Sequence, residues 1–327
     1  MKNLTFLSTV LLAFNLGQSP CAFADDAVPA RGSADDFLKT RSYFEGWGTN
    51  VAAIVSYDVA AKYSQHSDFA DGTTEIRDSI HILRFDKSTR RHLRIRKSIT
   101  TVSDNEGKES RTLELSSEGI VHNSAWHFGS SGKGLLKLAE KEYSDQKKRM
   151  GLPDLQMVGI QPLLPFGVSY SPDDAGDFIS SYFSPSLDMI FALGEDNSVA
   201  VTKTSERYDR KWRVDGDIMM PDQYVVLLKD RGVTTKLYDE LYDWTTKDGV
   251  TVIDSMFGEA VKSMKVEGEE HYKNYKILFD WRFGWRSINA SSESLDFSPE
   301  NYDSLPEIEK AVEEVEAYLK TIETRVD

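Results

Sequence analysis

Several short clusters in this chain carry side chains that could do chemistry, and each fails on spacing. Gly129-Ser130-Ser131-Gly132-Lys133-Gly134 has the glycines and the lysine of a phosphate cradle. A Walker loop, however, needs Gly five residues before Gly132, where His127 stands, and Ser or Thr after the lysine, where Gly134 stands. The segment reads as a turn feeding the next element. His122 and His127 flank Trp126, but their odd separation puts them on opposite faces of a strand, so they cannot grip one ion together. Asp173, Asp174 and Asp177 lack the alternating acids and terminal glutamate of a calcium loop and read as a solvated turn. There is no Gly-x-Ser-x-Gly elbow, and no pair of carboxylates is marked out for glycoside hydrolysis. The sequence therefore predicts no catalytic residue, no metal ligand and no cofactor.

One basic stretch remains. Arg90-Arg91-His92-Leu93-Arg94-Ile95-Arg96-Lys97 is unusual in a chain of net charge −14. On a strand, His92, Arg94 and Arg96 share one face while Leu93 and Ile95 share the other. Arg94 and Arg96 could contact the anion of a lipid head group. The favoured alternative pairs them across strands with acids such as Glu114 or Asp78. The acidic balance of the whole chain disfavours nonspecific binding to nucleic acid or to an anionic membrane.

The elements that must position these groups are mostly strands. Ser33-Ala34-Asp35-Asp36 opens a helix with acids in its first turn. Phe37, Leu38 and Phe44 line its apolar side, and Gly46 and Gly48 around Trp47 are expected to end it. The period then changes to two. Val51, Ala53, Val55, Tyr57, Val59, Ala61 and Tyr63 fall on one face of a long strand, with Ser56, Asp58 and Lys62 on the other. Residues 74–85 and 90–102 read as a hairpin, and strands are expected at 109–116 and 120–128 around a turn at Glu118-Gly119. Residues 133–150 read as a helix, and a proline-rich covering segment carrying Phe166, Phe178 and Tyr182 follows, so that about 133–195 is expected to form a helical lid. Strands resume at 198–207 and 211–219, separated by Asp209-Arg210, and continue at 223–229, 233–244, 250–265 and 271–287. In the last, Ile277, Phe279, Trp281, Phe283 and Trp285 alternate with Asp280, Arg282 and Arg286. Leu305-Pro306-Glu307 opens a C-terminal helix over 304–327 whose Ile308, Val312, Val315, Leu319 and Ile322 form a docking stripe. The fold class is α+β, mainly antiparallel: a strongly curved incomplete barrel or sheet with helices covering one face.

Residues 1–24 carry the marks of an export signal. Lys2 supplies the positive end, Leu4 to Leu16 a short apolar core, and Ala22-Phe23-Ala24 the cleavage site. Residues 25–32 are a flexible lead-in to a single domain over 33–303. Cys21, the one cysteine, follows Gln18-Ser19-Pro20, which is a poor lipobox. No later run is long and apolar enough to anchor the chain by a helix.

This order of leader, helix, long strand, meander, lid and second strand series resembles the LolA-like group of bacterial envelope proteins, which includes the carrier LolA and the LppX and RseB types. Leu237-Tyr-Asp-Glu-Leu-Tyr-Asp-Trp-Thr-Thr-Lys-Asp-Gly-Val250 and the two strands after it are similar to the group's closing strands. The resemblance covers roughly residues 33–290. It implies a curved sheet that holds lipid on its concave face. The chain is longer than the carrier, with a long middle insertion and the extra helix.

The function expected is noncatalytic binding of an apolar ligand, a lipid or the acyl part of a lipoprotein, in the periplasm or outside the cell. Its expected wall comprises Val55, Tyr57, Val59, Phe178, Tyr182, Trp212, Ile277, Phe279 and Trp281. The alternative is a sensing or assembly module that binds an envelope protein, and a hydrolase with a hidden carboxylate site comes third. If export is correct, N-terminal sequencing of the exported protein will begin at Asp25, and an intact Met1 on that protein would overturn the reading.

Overall fold

A computed structural model of the chain describes residues 42, 46, 49–50, 53–86, 88–89, 91–121, 124–129, 132–137, 189–194, 197–230, 232–265 and 272–323. The expected lid residues Phe166, Phe178 and Tyr182, and the export signal, lie outside them.

The first half is a meander of β1 (Ser56–Asp68), β2 (Thr74–Asp86), β3 (Arg91–Ser103), β4 (Glu109–Val121), β5 (Ser124–Gly129) and β6 (Gly132–Lys137). The second is a meander of β7 (Met189–Leu193), β8 (Val199–Thr204), β9 (Tyr208–Asp215), β10 (Met220–Asp230), β11 (Val233–Lys247), β12 (Val250–Lys265) and β13 (Tyr272–Ile288). Every pair is antiparallel, and β1 also pairs with β13, from Tyr57↔Ile288 to Asp68↔Lys276. The two meanders thus form one curved, open sheet of thirteen strands among the described residues, with β6 and β7 at its two ends. Bulges interrupt the pairing at Asp58/Val59, Pro221/Gln223, Val226/Leu227 and Asp243/Trp244, and each bends its strand and increases its twist. Between β11 and β12, Asp248 and Gly249 both take positive φ, 51° and 79°, the geometry of a tight hairpin turn.

The C-terminal helix α1 (Leu305–Glu323) follows two short 3-10 turns, at Ser292–Ser294 and Pro299–Tyr302. Its start follows the capping-box spacing, with Ser304 at the cap, Glu307 three residues later, and the two side chains joined at 2.7 Å. Ile308, Val312, Val315 and Leu319 are buried against Ala60, Ile82, Leu93, Ile95 and Trp126. The sheet makes room with small residues. A side chain on Gly284 would come within 2.8 Å of Tyr318 and 2.9 Å of Ile322. Polar contacts fasten the same face. Asp58 accepts from Arg84 at 3.3 Å and from Arg286 at 3.1 Å. Arg84 donates onward to the Asp296 carbonyl at 2.7 Å and the Tyr302 hydroxyl at 2.6 Å. Lys97 reaches Glu316 of the helix at 3.0 Å.

Several boundaries differ from expectation, each for a tertiary reason. Gly46, Thr49 and Asn50 are helical, beyond the end expected around Gly46 and Gly48. Asn50 is tied to the β12 backbone, donating to the Thr251 carbonyl at 2.6 Å. Consequently β1 begins only at Ser56, and Val55 is exposed before it. Glu118-Gly119 is not a turn. Gly119 sits within β4 because the Trp126 ring lies 2.7 Å from where a Cβ would stand. Asp209-Arg210 lies inside β9, where Asp209 pairs with Lys229 at 2.8 Å, and the turn falls before Tyr208. Residues 132–137 are strand instead of helix, because β5 offers them a full ladder from Gly129↔Gly132 to Ser124↔Lys137. Residues 189–193, expected within the lid, form β7.

The docking of α1 is testable by one truncation. Ile308 is 0 % exposed, so Ile308→Ala should cost about 2–5 kcal/mol. Glu309→Ala, on the exposed side, should stay within about 0.5 kcal/mol. Urea unfolding midpoints of the two variants make the comparison.

Candidate functional site

The face opposite α1, here the inner face, carries the larger apolar surface. Because side chains alternate, register alone puts Tyr57, Val59 and Ala61 of β1 on it, beside Leu83 and Phe85 of β2 and Phe283 and Trp285 of β13. The apolar cluster continues through Met256 and Val252 of β12, Leu237 and Tyr242 of β11, and Val226 and Tyr224 of β10. Trp212 and Val214 of β9 and Val199 and Val201 of β8 complete it.

Aromatic rings organise this face. Trp281 is at the centre of one group, with Tyr63 at 4.5 Å, His81 at 5.2 Å and Phe283 stacked at 5.8 Å between centroids. Tyr57 bridges Phe85 at 5.5 Å and Trp285 at 5.9 Å. Trp212 stacks on Tyr224 at 5.4 Å. Offset and edge contacts at these separations add to the stability from burial. Two indole N–H groups are satisfied by backbone: Trp285 donates to the Ile253 carbonyl and Trp244 to that of Pro221, both at 2.7 Å. Gly258 is the close-approach position here, since a Cβ would come within 2.5 Å of the Phe279 ring.

Ionisable groups on this face are driven towards neutrality. Burial pushes His81 well below the ordinary histidine value, and the charges of Arg94 and Arg96 push the same way. Burial likewise raises Tyr63 and Tyr238 to about 12 and pushes Tyr242 well above the ordinary tyrosine value. Glu240 is part-exposed as a residue, but its carboxyl group is enclosed, and burial lifts its pKa to about 7. A hydrogen bond from the Tyr242 hydroxyl opposes the shift, and the neighbouring Asp239 charge reinforces it. Near neutral pH burial thus holds His81 and the tyrosines of this face neutral and keeps Glu240 largely protonated below about pH 7.

The polarity changes at β3 and β4. Arg94 contacts Glu118 at 3.3 Å and Arg96 contacts Glu114 at 3.2 Å. A depression of about 420 Å³ lies beside them, with Ser116, His127 and Gly129 also in its wall.

Of the residues expected from sequence, Tyr57, Val59 and Trp212 are fully buried members of the inner face, and Ile277 and Trp281 are buried with Phe279 half-buried beside them. Val55 is not on this face; it is 45 % exposed, and its N–H donates to Asn289 Oδ1 at 2.8 Å. Phe178 and Tyr182 lie outside the described residues. Arg94 and Arg96 are in the cross-strand ion pairs that the favoured alternative named, although Glu118 and not Asp78 is the second acid. Sequence reasoning missed Tyr63, His81, Glu240 and Tyr242. Glu240 had a signal, being an acid in the period-two series Tyr238, Glu240, Tyr242.

No protein-family model matches this chain, and no curated protein matches it. Among solved structures it is similar to a LolA superfamily protein from Nitrosomonas europaea, at 9 % identity over 81 % of this chain and 97 % of that one, with a TM-score of 0.33. It is also similar to a porin-like protein from Bacteroides uniformis, at 10 % identity over 73 % of this chain and 97 % of that one, with a TM-score of 0.21. Both scores are low, so the site is read from this chain's own residues.

The Glu240 shift has a pH signature. Its folded pKa lies above its unfolded value near 4.5, so the folded state binds the extra proton and stability falls as pH rises from about 4.5 to about 7. His81, whose folded pKa is depressed, acts in the opposite sense as pH approaches its unfolded value. The difference between wild type and Glu240→Gln isolates the carboxyl group. Stability of the variant relative to wild type should rise across this window, at no more than about 1.4 kcal/mol per pH unit. Unfolding midpoints between pH 4 and 8 provide the check, and parallel curves would refute the shift.

Proposed function

We propose that this protein is exported and binds an apolar ligand, a lipid or the acyl part of a lipoprotein, on the inner face, without catalysing a reaction. The observation that carries the reading is the continuity of that face. Aromatic and aliphatic side chains run unbroken from β2 through β1 and β13 to β8, and their ionisable neighbours are held towards neutrality. An acyl chain is best accommodated where charge has been removed from the surface it meets. The rings of Trp281, Tyr63 and half-buried Phe279 are the contacts we assign to the chain.

A second reading, a protein–protein role in the envelope, has one observation in its favour. Leu241 and Phe257 are direct cross-strand partners on the outer face, 44 % and 51 % exposed. Such a pair is a point at which another protein can dock.

Native mass spectrometry of protein exported by a bacterial host separates the two. The ligand reading expects a discrete lipid mass that departs when Trp281 and Phe279 are both replaced by alanine. A bare chain, unchanged after incubation with lipid micelles, would sink that reading and favour the protein-partner role.

A further inference from the structure

Two neighbouring rows of the inner face change character across the strands in the same order. One cross-strand row runs Phe283, Ala61, His81, Arg96, Ser116. The next runs Trp285, Val59, Leu83, Arg94, Glu118. Each begins apolar on β13 and β1 and ends polar on β3 and β4. The charges are also sorted: both arginines stand on β3, and both glutamates, Glu114 and Glu118, stand on β4. Cations therefore lie nearer the aromatic surface and anions lie one strand further out, a separation of about 4.8 Å.

We propose that this end of the inner face seats the head group of an amphiphile in which a phosphate adjoins the acyl part and an ammonium lies beyond it. The inference rests on the apolar-ligand reading above and names the class of ligand. With its acyl chains over Trp281 and Phe283, such a molecule meets Arg94 and Arg96 with its phosphate and Glu114 and Glu118 with its ammonium. A two-carbon link between phosphate and ammonium spans about one strand spacing. A purely anionic head fits less well, because two arginines and two glutamates sum to no charge and the anion would face Glu114 and Glu118 uncompensated. The ion pairs present are ones a ligand can enter. They join side chains 22–51 % exposed at 3.2–3.3 Å, where an ion pair is weak in water. A guanidinium presents its N–H groups in a fork that matches a phosphate, and the 420 Å³ depression beside the pairs gives the head group room.

His81 marks the boundary. It lies on β2, between the aromatic and charged strands, and is 3 % exposed with Nδ1 lacking a hydrogen-bond partner among the described residues. A buried polar atom of this kind is costly unless something satisfies it. An ester group linking acyl chain to phosphate passes this depth.

Binding of four short-chain probes, followed by native mass spectrometry and intrinsic fluorescence, tests the assignment: dihexanoyl phosphatidylethanolamine, phosphatidylglycerol, phosphatidic acid and diacylglycerol. The first should bind most tightly, by roughly tenfold or more over diacylglycerol. Arg94→Gln with Arg96→Gln should erase that advantage while leaving diacylglycerol binding in place. Glu114→Gln with Glu118→Gln should invert the preference towards phosphatidylglycerol and phosphatidic acid, a gain that misfolding cannot mimic. Equal binding of all four probes, or no inversion, would overturn the head-group assignment and leave the apolar-ligand reading standing. No binding of any probe would overturn both.

Discussion

The pairing of β1 with β13 is the contact on which the rest depends. It joins residues more than two hundred positions apart, from Tyr57↔Ile288 to Asp68↔Lys276. Without it the chain would be two separate meanders, each with an additional bare edge. With it, every neighbouring pair in the sheet is consecutive in sequence except this one. Local hairpins can form early and cheaply, whereas this long-range pair must close a very large loop before its hydrogen bonds and packing compensate. Asp58 reinforces the junction, since it sits on β1 and receives Arg84 from β2 and Arg286 from β13.

That junction also separates two faces with different demands. The outer face over β1 to β4 takes a helix, and a helix needs close approach, so Ala60, Gly119 and Gly284 keep the surface shallow. The inner face keeps large rings at the matching positions, Trp285 and Phe283 on β13 beside Val59 and Ala61 on β1. Period-two alternation makes these opposite choices compatible within one strand. Gly284 stands between Phe283 and Trp285 in sequence, yet it meets the helix while they meet the inner cluster.

Charge is distributed by the same logic. Ions on the outer face are networked, as in Arg84 with Asp58, the Asp296 carbonyl and Tyr302, or Lys236 with Asp239 and Glu259. On the inner face, Arg94 and Arg96 of β3 pair with Glu118 and Glu114 of β4, and nearer the aromatic centre burial drives His81 and Glu240 towards neutrality. Removing a carboxylate or an imidazolium from water costs more than any single contact returns, so proton binding changes first. Glu240 and His81 are two places where the apolar surface meets such a group.

What the sequence determined by itself was whatever depends on short-range period and turn chemistry. The alternation in 277–286, the opposition of Arg94 and Arg96 to Leu93 and Ile95, and the stripe of the C-terminal helix were all legible, because each is fixed by residues within a few positions of one another. The mainly antiparallel fold class followed from them. Tertiary structure decided the rest. Leu135 and Leu136 lie in a helical pattern, yet β5 draws them into a ladder. Gly119 reads as a turn until Trp126 is laid against it, and Val55 reads as a wall residue until Asn50 and Asn289 fix where β1 begins. The order of polarity across the inner face was invisible in sequence for the same reason. It runs perpendicular to the chain, through Phe283, Ala61, His81 and Arg96, which become neighbours only when strands far apart in sequence settle into register.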